Sequence, residues 1–156
     1  MTYYQITEIL HDTLTDSRVD FTTITHGSIE DVDLARQTIF PLAHITPSTA
    51  TLADKTISFS MNVAALDIVD YNKNNLRDEI NPFYGTDNKI DVLSDLITRL
   101  QIAVDIIRRK LADRNVAIET SITNTPFVDR FENLLAGWET TLTIIVPNSA
   151  VNQGAC

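Results

Sequence analysis

The side chains able to do chemistry are few and scattered. His11, His26 and His44 fall in three different segments, and no two are spaced as metal ligands usually are. Local hydrogen bonding is the simpler expectation for each. The only thiol is Cys156, which leaves no partner for an intrachain disulfide and no cysteine-rich zinc pattern. Asp87, Asp91 and Asp95 recur every four residues, as a cation site or an acidic lining would need. The plainer reading is that they offset the positive end of a helix dipole. Asp129-Arg130-Phe131-Glu132-Asn133 mixes charge with an aromatic ring. That suits an ion-paired turn or a subunit contact better than a catalytic carboxylate pair. The glycines are Gly27, Gly85, Gly137 and Gly154, which form no glycine-rich phosphate loop and no Gly-x-Ser-x-Gly elbow. The expectation is a protein without catalytic apparatus, metal or cofactor.

The elements that would position these residues follow from periodicity. Residues 2–14 carry Tyr3, Ile6, Leu10 and Leu14 on one helical face, with Thr2 as N-cap. Residues 19–25 alternate through Val19, Phe21 and Thr23 and predict a short strand ending at His26-Gly27. Residues 28–37 predict a loop or a single helical turn. Residues 42–52 and 55–70 predict a long β-hairpin about an Ala53-Asp54 turn. Pro47 places its first strand at an edge or at a bulge. Residues 71–88 are polar and, at roughly 18 residues, long for a connection; loops of that length are usually functional.

Residues 89–112 are the clearest element. Leu93, Leu96, Ile97, Leu100, Val104, Ile107 and Leu111 make a continuous helical stripe. Asp91 and Asp95 open it, Arg108, Arg109 and Lys110 close it, and Asp95–Arg99 is a favourable i,i+4 pair. Residues 116–122 predict a strand that Asn124-Thr125-Pro126 ends. Residues 127–136 fit either period. Residues 138–147 predict a strand with Trp138, Thr140, Leu142, Ile144 and Val146 on one face, and Gly137 predicts a bulge or bend before it. Without regular βαβ units, the order points to an α+β fold. One mainly antiparallel sheet with a long hairpin would pack against an N-terminal helix and one long central helix. Residues 1–147 would form a single domain and 148–156 a small, polar tail.

Bulk properties narrow the function classes. The chain has 156 residues, enough for one hydrophobic core without metals or disulfides. Its net charge is −9, with 21 acidic against 12 basic residues. A protein that grips nucleic acid by its phosphates needs the opposite sign. Acidity keeps a protein soluble, and it would also let DNA pass without adhering. No basic segment followed by an apolar one marks a signal peptide at the N-terminus, and no apolar run approaches the roughly 20 residues that cross a bilayer. A reducing, cytosolic site of synthesis is expected.

Three strings carry a resemblance: Gln37-Thr-Ile-Phe-Pro-Leu-Ala-His-Ile45, Leu66-Asp-Ile-Val-Asp70, and Pro126-Phe-Val-Asp-Arg-Phe-Glu-Asn-Leu-Leu-Ala-Gly-Trp138, the last running on to Ile144-Ile-Val-Pro-Asn148. Across residues 19–148 the chain resembles small neck proteins of tailed bacteriophages, particularly crAss-like phages, of tail terminator or tail completion type. The resemblance implies a virion structural protein that forms a ring at the head–tail junction. Such a ring docks on a portal or adaptor above and on a tail tube or hub below, and DNA passes through its lumen without specific binding. The interface residues expected are Pro47, Asp54 and Lys55 in the hairpin, Arg77, Phe83 and Tyr84 in the long loop, Asp129, Arg130 and Glu132 in the charged turn, and Asn148 and Cys156 in the tail. The alternative is a small non-catalytic binding module that engages one protein partner.

Overall fold

A computed structural model describes residues 1–29, 39–69, 89–130 and 135–147, the side chains of 128–130 excepted. The elements in chain order are α1 (Tyr3–Thr15), β1 (Thr23–His26), β2 (Leu42–Leu52), β3 (Thr56–Ile68), α2 (Lys89–Ala112), β4 (Ala117–Ile118), β5 (Asn124–Arg130) and β6 (Leu135–Pro147). The fold is α+β, as the sequence predicts. The strands run β1-β2-β3-β6-β4, with β5 also on β6. Every pair is antiparallel except β1 with β2.

Both helices cover one face of this sheet. Thr2 closes a capping box on α1: Gln5 N donates to Thr2 Oγ1 at 3.2 Å and Thr2 N to Gln5 Oε1 at 2.9 Å. Such a cap is worth about 1 kcal/mol. Ile6, Leu10 and Leu14 then enter the main core beside Leu96, Leu100 and Ile107 of α2 and Met61, Val63, Leu142 and Ile144 of the sheet. Burying each of these large side chains contributes roughly 2–3 kcal/mol against leaving it in water. α2 spans the 24 residues expected of it, a length on the order of 36 Å. Its far end closes on Asn115, which has φ 59°. There Val116 N reaches Leu111 O at 3.0 Å and Asn115 N reaches Ala112 O at 3.1 Å, a Schellman closure with asparagine where glycine is usual.

The hairpin forms as predicted, with the turn one residue later. Ala53 N donates to Thr56 O at 2.9 Å, so the loop is Asp54-Lys55. The pairing of β2 with β3 shifts between Pro47 and Thr49, and β1 covers β2 only from Leu42 to Ile45. Pro47 therefore sits at a bulge and at the start of an edge.

Four other expectations are corrected. Residues 19–22 are not strand: Val19 and Phe21 are buried as core plugs around a turn in which Asp20 has φ 58°. Two inward side chains on a turn mimic strand alternation. The 116–122 strand shrinks to Ala117–Ile118 because Val116 N is spent closing α2 and Arg108 takes the carbonyls of Glu119 and Thr120 at 3.3 and 2.9 Å. Asn124-Thr125-Pro126 begins a strand instead of ending one. Among the described strands β5 has only β6 beside it, where proline is tolerated. Gly137 lies in regular pairing inside β6, opposite Leu66 and Phe127. Its reason is close approach: a Cβ there would stand 1.8 Å from Ala65 O and 3.1 Å from Phe127 Cζ. The irregularity falls on β5, between Val128 and Arg130.

Candidate assembly interface

The sheet's second face carries no described helix, and its side chains follow from the register. Rows across β2, β3 and β6 read Leu42–Leu66–Gly137, His44–Ala64–Glu139, Thr46–Asn62–Thr141 and Thr49–Ser60–Thr143. One end is apolar: Leu42, Leu66 and Phe127 form a second small core with Ile29, Ile39 and Phe40 against it. The three separated strings that carry the phage resemblance each supply part of this cluster. The other end is a field of hydroxyls and amides that bond across strands, Thr141 Oγ1 to Asn62 Oδ1 at 2.9 Å and Ser60 Oγ with Thr143 Oγ1 at 3.2 Å.

His44 sits at the junction of the two, fully buried. Its Nε2 lies 2.8 Å from Gly27 O, which can only accept, so Nε2 carries a proton. Its Nδ1 lies 2.6 Å from Thr25 Oγ1 and accepts from that hydroxyl. A neutral ring is thus satisfied on both sides and ties β1 to β2. Burial, the largest cause, pushes the His44 pKa below its ordinary value, and nearby His26 pushes the same way against the opposing Gly27 bond. The other two histidines are surface groups. Tyr3 Oη meets His26 Nε2 at 3.0 Å and His11 Nδ1 lies 3.3 Å from Asp12 Oδ1. They share a shallow concavity of about 610 Å³ on α1 with Tyr4 and Glu8.

The expected interface residues divide three ways. Pro47 is exposed at the bulge midway along β2, and Asp54 and Lys55 are exposed at the hairpin turn beside Leu52, which is 77% exposed. Asp129 and Arg130 lie at the end of β5, with their side chains outside the described residues. Arg77, Phe83, Tyr84, Glu132, Asn148 and Cys156 lie outside the described residues altogether, as does Asp87. Asp91 and Asp95 are both exposed, and Asp95 holds Arg99 at 2.8 Å. Among the described residues no group of three His, Cys, Asp or Glu side chains is placed to hold a metal ion.

The structure locates one feature that Pro47 pointed to and adds one that the sequence did not signal. The outer half of β2 is an open edge among the described strands. Gly27 N donates to Ile45 O, so by strand alternation Pro47 also turns its backbone outward, and past the bulge Ala50 and Leu52 do so. The second feature is a groove of about 380 Å³ between α2 and residues 120–124, left where the 116–122 strand fails to form. No described helix is long and apolar enough to cross a membrane. A scan against protein-family models finds no match for this chain, and a search of curated proteins likewise finds none.

Proposed function

We propose that this chain is a structural subunit that assembles head to tail into a ring, and that the ring is a neck component of a tailed bacteriophage. The observation that carries the assembly is the asymmetry of the sheet's borders. One border presents the hairpin with its open β2 edge, and the opposite one presents β5 and the groove beside α2. Two unlike surfaces on one subunit suit a heterologous contact, which closes into a ring when the rotation permits. The phage assignment draws on the resemblance of residues 37–45, 66–70 and 126–138, each of which contributes to the second small core. The net charge of −9 suits a lumen through which phosphates must slide.

Light-scattering mass measurement and negative-stain imaging test the ring, alone and with portal, adaptor and tail proteins co-expressed. Closed rings of one copy number, binding a neck or tail partner, are expected. A chain that stays monomeric even with those partners present would sink the reading in favour of a small binding module.

A further inference from the structure

The hairpin tip and the groove beside α2 match in chemistry. The tip carries one apolar side chain out in water, Leu52, followed by the pair Asp54 and Lys55. The groove has an apolar wall of half-buried Ile97, Val104 and Ile122, and a rim of exposed Asp105 and Arg108. Arg108 also holds the rim in shape, through the carbonyls of Glu119 and Thr120. Its volume of about 380 Å³ is several times that of a leucine side chain. Within one molecule the two features belong to different parts of the sheet. The tip lies on the β2–β3 hairpin, and β6 separates β3 from β4 and β5, whose connecting segment lines the groove.

We propose that the hairpin tip of one copy seats in the α2 groove of the next, with Leu52 in the apolar wall, Lys55 facing Asp105 and Asp54 facing Arg108. The proposal rests on the ring reading for its partner, a second copy of this chain. Charge complementarity sets the orientation: both rim pairs are of opposite sign in the seated order, and reversing the tip would oppose like charges. The contact is heterologous, since tip and groove are different surfaces.

The test uses two single-cysteine full-length chains, Leu52→Cys and Ile122→Cys, each in a Cys156→Ser background, mixed and oxidised. A disulfide-linked heterodimer in the mixture, absent when either chain is oxidised alone, is expected. Tyr4→Cys, on another exposed site, replaces Leu52→Cys in a control that should not cross-link. Circular dichroism checks that each variant folds. Lys55→Glu alone should cut the cross-link yield about two- to fivefold, and Asp105→Lys added to the partner chain should restore it. Failure of the mixed pair to link above the control, or a chain that remains monomeric at the highest soluble concentration, overturns the proposal. Rings that form without this cross-link overturn it and leave the neck reading standing. A cross-linked ring that binds no portal or tail protein supports it while the neck reading falls.

Discussion

Arg99 shows how much one side chain can hold in this fold. Its Nε bonds Asp95 at 2.8 Å, and one terminal nitrogen reaches the carbonyls of Val19, at 3.0 Å, and Asp20. The guanidinium also lies 5.9 Å from the centre of the Phe21 ring. Arg99→Ala would strip the turn that places two core plugs, and a loss of about 1–3 kcal/mol is expected in urea denaturation. The sequence revealed the Asp95 partner through i,i+4 spacing. The carbonyl partners lie some eighty residues away and leave no local signal. His44 gives a second test. Its folded pKa lies below the ordinary 6.5, so the unfolded chain takes up the proton first as pH falls. The stability it contributes is complete above about pH 6.5 and lost progressively below it. In an NMR titration its ring signals should move at lower pH than a free histidine's.

At the scale of elements, the long patterns were readable throughout and the shortest ones only in part. The α2 stripe and the hairpin alternation extend over many residues, so their signal survives local exceptions. Residues 19–25 and 116–122 offered only a few alternating positions each; Thr23–His26 and Ala117–Ile118 keep the predicted strand, and tertiary demands on a turn and a helix end overrode the rest. The Schellman closure predicts that Asn115→Gly stabilises the protein, by up to about 1 kcal/mol, because glycine adopts positive φ without steric cost. A thermal melt would show it as a small rise in midpoint. Gly137 predicts the reverse. Any side chain there must displace the β3 backbone at Ala65, so Gly137→Ala should cost about 3 kcal/mol or more, read as a fall in the same midpoint. Glycine in a strand pattern pointed to a special site, and only the register distinguishes a bulge from close approach.

For the whole molecule, composition indicated that the protein is acidic and able to fold on a hydrophobic core, and patterning gave its fold class. The surfaces proposed for assembly were only partly legible. Of the interface residues the resemblance implied, Pro47, Asp54 and Lys55 in the hairpin are exposed. The groove beside α2 was hidden because it exists where an expected strand stops. If the proposed ring forms and acidity serves DNA passage, lysines added to its lumen face should slow genome ejection, timed by dye release from particles. If acidity serves only solubility, the same particles should eject at the ordinary rate.

The bulge at Ser48 next to Pro47 has a bearing on how the chain avoids pairing with the wrong strand. An open edge is an invitation to indiscriminate stacking, the first step toward fibrils. Here an incoming straight ribbon meets a nitrogen without hydrogen, and one residue later a step in register. Only a short stretch, Thr49 to Leu52, remains available to it. The defect therefore works as a safety catch against endless growth, and it leaves room for the neighbour proposed above. Replacing Pro47 with threonine should release that catch, visible as faster thioflavin-positive aggregation of an otherwise well-folded protein.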